Sequence, residues 1–185
     1  LLLLVLTAIV SIILGMGMPT TAVYVLLAVL VAPGLAKLGI VPIAAHLFIF
    51  YFGMLSMVTP PVCMASYAAA SIGKTDPIKT GWEAMKLCAI AYVVPFLFVF
   101  SPSLLLIGHW WEVVLSIVTA IAGAILLGVG LVGYLFRPVG ALKRILFTCA
   151  ATGLLIPVVH SGPYATLTWL TNAGGFVLAL VLVGA

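Results

Sequence analysis

The 185 residues are 66% hydrophobic and only 5% charged, with a mean hydropathy of +1.46. A soluble globular domain carries about 25% charged residues, so this composition excludes one and describes an integral membrane protein. The net charge of +4 comes from seven basic and three acidic residues; so few charges speak of membrane topology and give no nucleic-acid footprint.

Long, continuously apolar runs predict membrane helices and not the roughly ten-residue alternating strands of a barrel. The chain opens inside such a run, Leu1 to Leu14, with no basic segment before it and no small-residue cleavage site after it. It therefore does not read as a signal peptide, but as the C-terminal part of a longer polypeptide. As a helix this run covers about 21 Å, less than the ~30 Å of a bilayer core. It is interrupted by Gly15-Met16-Gly17-Met18-Pro19-Thr20-Thr21, poor helix material because Gly costs about 1 and Pro about 3 kcal/mol in a helix interior. Thr20 or Thr21 is expected to cap the next helix, which runs to Ala32 and stops at Pro33-Gly34. Two short arms around a polar tip predict a re-entrant helical hairpin over residues 1–33.

Lys37 and Pro42 fall in a connecting loop. Residues 43–72 form a second long apolar run, broken at Thr59-Pro60-Pro61-Val62 into half-helices 43–58 and 61–72, with Pro61 suited to the first turn of the second. The polar stretch Gly73 to Glu83 offers a helix start at Asp76-Pro77 and an interfacial Trp82. A full span is expected over 84–107, kinked at Pro95, and another over Val113 to Phe136 after Glu112. A basic loop, Arg137 to Arg144, precedes two further candidates, Ile145 to Val159 and Gly174 to Ala185, separated by His160-Ser161-Gly162-Pro163 and Trp169. The expected fold is an all-α polytopic membrane protein with a re-entrant hairpin and a discontinuous transmembrane helix. Residues 1–107 make a transport core, and 108–185 additional C-terminal transmembrane helices. Lys74, Lys79 and Lys86 cluster at one loop and Arg137, Lys143 and Arg144 at another, whereas the loops around His109 and His160 carry neither Lys nor Arg. The positive-inside rule then makes the basic loops cytoplasmic and opens the hairpin outward, with Lys37 as the exception.

No charged residue falls in a predicted membrane core. A proton-coupled carrier would place a titratable group there; His46 alone is available, and among Ala44, Ala45 and Leu47 it reads first as a packing or interhelical hydrogen-bonding residue. Asp76 stands by itself, HExxH and GxSxG are absent, and Cys63, Cys88 and Cys149 sit far apart in apolar segments as packing residues. An enzyme is not expected. What remains is backbone and hydroxyl chemistry. An irregular backbone is tolerated at membrane depth only where protein buries it or a wet cavity receives it, and paired interruptions mark transporter sites. The candidate substrate and ion site is therefore Gly15, Met16, Gly17, Met18, Pro19, Thr20 and Thr21 with Thr59, Pro60, Pro61 and Val62. Within it Gly15, Gly17, Thr20 and Thr59 are the Na+ candidates, and no cofactor beyond that coupling ion is expected. A single Gly–Pro break could be only a packing device; two breaks, each beside threonine, favour a site.

The run Gly15 to Tyr24, the run His46 to Gly53, and Thr59-Pro60-Pro61-Val62 with Tyr67-Ala68-Ala69-Ala70 resemble the C-terminal half of the large membrane subunit of TRAP transporters, most closely the fused form in which small and large subunits are one polypeptide. The resemblance covers residues 1–107. It implies a Na+-driven, elevator-type importer of organic acids such as C4-dicarboxylates, in a bacterial or archaeal cytoplasmic (inner) membrane. Its implied partners are a periplasmic substrate-binding protein, the N-terminal half of the same permease, the small subunit or its fused equivalent, and the lipid bilayer, with no nucleic acid. On that pattern residues 15–21 form a hairpin tip, residues 59–62 break the paired helix, and this chain alone would not transport. A passive channel and a non-transporting membrane scaffold are the alternatives.

Overall fold

The computed structural model describes residues 1–135, 137–156 and 165–184. The expectations for His160-Ser161-Gly162-Pro163 and for the span ends Phe136, Val159 and Ala185 lie outside them. Among the described residues the regular structure is helical apart from a two-residue antiparallel ladder, β1 (Tyr134–Leu135) with β2 (Arg137–Pro138). The chain divides into two compact units, residues 1–99 and 100–185.

The first unit begins with α1 (Leu2–Gly15) and α2 (Thr20–Leu30), two apolar helices of 14 and 11 residues. Gly17, at φ +82°, turns the chain between them. Two expectations fail here. The N-cap of α2 is Pro19, with no side-chain bond to the first turn. Thr20 and Thr21 have already entered the helix, one position too late for their hydroxyls to cap it. Nor does Pro33 end the arm. After a break at Val31 the chain re-enters α3 (Ala32–Lys37) with Pro33 in its first turn, where a missing N–H is no loss. Lys37 is thus helical, and the stop is Gly39 at φ +81°.

The second broken run resolves as α4 (Pro42–Leu55) and α5 (Met64–Gly73). The expected half-helices 43–58 and 61–72 are both shorter, because the non-helical stretch extends from Ser56 to Cys63. Pro61 lies in that stretch, bonded to Pro60 through a cis peptide, and not in the first turn of α5. Next come α6 (Pro77–Leu87), started by Asp76 as expected, and α7 (Ala89–Phe100). They are interrupted at Cys88, where Ala91 N–H closes a short 2.9 Å bond onto the Cys88 carbonyl. The expected span 84–107 thus starts earlier and ends by Phe100, and the interruption lies a turn or more before Pro95, which stays inside α7. Residues 77–100 together are long and apolar enough to cross a membrane.

Apolar surface drives no association in lipid; close packing by small residues does. The buried face of α1 is Leu4, Ala8, Ser11 and Gly15, which packs on Ala45, Phe48 and Phe52 of α4 with Val23 and Leu27 of α2. An aromatic cluster joins α4 to α7: Phe96 meets Phe48 edge-on at 5.2 Å and Phe52 at 5.6 Å.

The second unit holds a short 3-10 turn (Pro102–Leu105), α8 (Trp110–Val132), α9 (Ala141–Leu155) and α10 (Ala165–Gly184). Each helix starts before its expected limit. Glu112 lies in the first turn of α8, and Lys143 and Arg144 in α9 rather than in a loop. With 23 residues, α8 is the second membrane-length helix. Gly123 and Gly130 let α9 approach α8 closely, Gly153 and Gly175 do the same for α9 and α10, and Asn172 Nδ2 donates to the Ile156 carbonyl at the end of α9.

Candidate functional site

The two breaks meet through one contact. Gly15, the last residue of α1, lies against the last turn of α4: a Cβ placed on it would sit 2.6 Å from Ser56 Oγ and 2.7 Å from the Gly53 carbonyl oxygen. Gly53 in turn is pressed by Val23 of α2, whose Cγ1 would be 2.8 Å from a Cβ there. Both arms of the 1–33 segment are therefore held on the final turn of α4, immediately before Thr59. Ser56 Oγ donates to the Gly53 carbonyl at 2.6 Å, so its only proton is used.

Two helix C-termini converge at this contact, and helix C-termini carry partial negative charge. Two of their carbonyls lack the usual donor among the described residues. Met18 N–H reaches back to Gly15 O at 3.5 Å, which leaves Leu14 O without one. Ser56 O would be served by the amide four residues on, but that residue is Pro60, which has no N–H. In a membrane such oxygens need a partner, and half-helix C-terminal carbonyls are the groups that coordinate Na+ in transporters with broken helices.

The second break is tied down on three sides. Thr59 Oγ1 donates to Leu55 O at 2.5 Å and lies 2.6 Å from Tyr92 Oη of α7. Since Thr59 has one proton, Tyr92 is the donor of that second bond, and one Thr59 lone pair stays open. Tyr67 Oη donates to Pro61 O at 2.6 Å. Gly81 of α6 admits Cys63 Sγ and Pro60 against its bare backbone. Cys63 is a packing residue, fully buried, and His46 accepts or donates at Nδ1 with Tyr24 Oη at 3.1 Å, an interhelical bond between α4 and α2.

Of the residues predicted from sequence, Gly15 and Thr59 flank the shared turn of α4, and Met18 packs on the core beside them. Met16, Thr20, Pro60 and Val62 are half-buried, whereas Gly17, Pro19, Thr21 and Pro61 are exposed. Gly53, Ser56, Tyr92 and Gly81 escaped the sequence reading, as did Ser11 and Ser66, whose buried hydroxyls have no partner. The signal for Gly53 and Ser56 was their spacing, small residues within two turns upstream of a Thr-Pro-Pro break. Nothing in the sequence pointed to Tyr92. Among the described residues no three His, Cys, Asp or Glu side chains gather as a metal cluster.

The model of the tripartite ATP-independent periplasmic transporter family, DctM component, matches residues 1–113, a stretch that contains both breaks and the contact between them. No curated protein and no solved structure matches the chain.

Proposed function

The chain belongs to the DctM family of tripartite ATP-independent periplasmic (TRAP) transporters, and on that premise we propose that it is the permease portion of a Na+-coupled importer of organic acids. As a member it is a membrane-embedded transporter component and not an enzyme. In the proposed reading it belongs to a bacterial or archaeal inner membrane, receives its substrate from a periplasmic binding protein, and is completed by the N-terminal half of the permease and a small subunit or fused equivalent. The helices of residues 100–185 are read as the additional C-terminal helices of a fused form.

The observation that carries the coupling-ion part is the seating of Gly15 on Gly53 and Ser56. It brings the carbonyl end of α1 against that of α4, three residues before Thr59, and a monovalent hard cation is the partner such oxygens would fit. A carboxylate would be favoured at the opposite, positive ends of the following helices, α2 and α5. An elevator displacement would carry the α1–α2 arm and the α4 turn together, because Gly15, Gly53 and Val23 interlock.

The test is uptake of labelled organic acids into proteoliposomes by the full-length parent permease, with and without a Na+ gradient and its binding protein. Saturable uptake that requires both supports the proposal. Flux needing neither would make the protein a channel, and no flux from a folded permease with any acid would leave the scaffold reading.

A further inference from the structure

Three of the seven basic residues, Arg137, Lys143 and Arg144, fall together at the corner between α8 and α9. No carboxylate answers them in this unit's corner. Asp76 is engaged with Lys79 N–H and Glu83 with Lys86 in the first unit, and Glu112 stands in the first turn of α8, at the far end of 23 residues. Since α8 is a membrane-length helix of about 35 Å, the corner at its C-terminus lies at one bilayer surface.

Arg144 is fixed there. Its side chain lies over Gly133, Nε donates to Gly130 O at 3.0 Å, and Nη2 donates to Leu131 O at 2.7 Å. A guanidinium has five N–H donors; among the described residues two are used, both on the end of α8. Arg144 lines a recess of about 300 Å³ together with Gly130, Ala141, Ile145 and Thr148. Lys143 beside it is exposed, with no ion pair among the described residues. Both cations stand in the first turns of α9, against the positive end of its dipole and with no acidic residue there. That arrangement is unfavourable alone and is reversed by a bound anion.

We propose that this corner binds the phosphate of an anionic membrane phospholipid. The guanidinium of Arg144 and the ammonium of Lys143 hold the phosphate, while Ile145, exposed and lining the recess, meets the start of an acyl chain. The position at the bilayer surface and the apolar wall make a lipid the source, in preference to free phosphate. Basic pockets between membrane helices bind anionic headgroups in this way.

The test uses the full chain in nanodiscs of phosphatidylcholine with phosphatidylglycerol, with retained lipid read by native mass spectrometry. Phosphatidylglycerol should be retained in preference to phosphatidylcholine, and Lys143→Gln should cut that preference about fivefold, the effect of one basic residue near an anionic surface. Lys143 is exposed and makes no ion pair or side-chain hydrogen bond among the described residues, so this variant keeps its fold. Arg144→Lys, which keeps the charge and loses the fork, should also lower it. Equal retention of both lipids, or an unchanged preference in Lys143→Gln, would overturn the proposal. Inorganic phosphate added to phosphatidylcholine nanodiscs is the last arm, followed by phosphorus NMR: binding there that Lys143→Gln abolishes would assign the site to a soluble anion and not to a lipid.

Discussion

Gly15 of α1 and Ser56, the C-cap of α4, touch with no room for a single added carbon, a Cβ on Gly15 falling 2.6 Å from Ser56 Oγ and 2.7 Å from the Gly53 carbonyl oxygen. The second neighbour is backbone and cannot rotate away. Gly15→Ala must therefore push α1 off α4, at the cost of overpacking, about 1–3 kcal/mol. The same change at Gly17 meets nothing within 4 Å, but φ there is +82°, which costs an L-residue about 1–2 kcal/mol. The two causes separate by a second substitution. Gly17→Asn should recover much of the loss, since Asn tolerates the left-handed region, whereas Gly15→Ser should be no better than Gly15→Ala. Thermal unfolding in detergent reads both pairs, and equal tolerance at Gly15 and Gly17 would refute the close contact.

Gly53 is blocked by a side chain rather than by backbone, Val23 Cγ1 at 2.8 Å from its ideal Cβ. Gly53→Ala should destabilise by about 1–3 kcal/mol, and Val23→Ala in the same molecule should restore most of that. Residues in contact couple by about 0.5–3 kcal/mol, so the double variant should be more stable than the sum of the singles. Strict additivity would mean that α2 does not rest on this turn of α4.

Asp76 starts α6 by accepting from Lys79 N–H through Oδ1 at 2.8 Å. Asp76→Ala should cost about 0.5–2 kcal/mol and Asp76→Asn almost nothing, because an amide oxygen caps equally well. Hydrogen exchange at the Lys79 amide should accelerate in the first variant and not in the second.

These three sites differ in how far the sequence disclosed them. Asp76-Pro77 was legible because an N-cap and its helix are neighbours in the chain, and the local chemistry is sufficient. The breaks were legible for the same reason: Gly and Pro act on their own backbone. Helix limits were not. Thr20 could have capped α2, and only the fold shows that Pro19 takes the cap position; Pro33 reads as a stop, yet a first turn accepts it. Least legible was the pairing of the breaks. Gly15 and Ser56 are 41 positions apart, and nothing local says which faces of two uniformly apolar helices will meet. In a chain this hydrophobic the usual polar and apolar periodicity is missing, so Ser11, Gly15 and Gly53 mark the contact face by size alone. Tyr92 lay deeper still, since an aromatic residue in an apolar run carries no sign of the hydroxyl it will find.

The network at Thr59 separates a holding role from an ion-binding one. Thr59 Oγ1 gives its proton to Leu55 O and receives one from Tyr92 Oη. Tyr92→Phe removes only the second bond and should cost about 0.5–1.5 kcal/mol. It leaves the Thr59 hydroxyl in place, so the full-length permease should keep its Na+ dependence. Thr59→Val keeps the shape and leaves Leu55 O its bond from Val58 N–H at 3.1 Å, but takes away the acceptor of the half-buried Tyr92 Oη, at about 1 kcal/mol. It also removes a hydroxyl oxygen with an open lone pair at the end of α4. If that oxygen meets the coupling ion, Thr59→Val should raise the Na+ concentration needed for half-maximal uptake severalfold, and Thr59→Ser, which returns the hydroxyl, should restore it. Should Thr59→Val lower stability while leaving the Na+ requirement of proteoliposome uptake unchanged, Thr59 would be a brace for the Pro60–Pro61 turn, and the ion would have to be sought at the carbonyls of Leu14 and Ser56 alone.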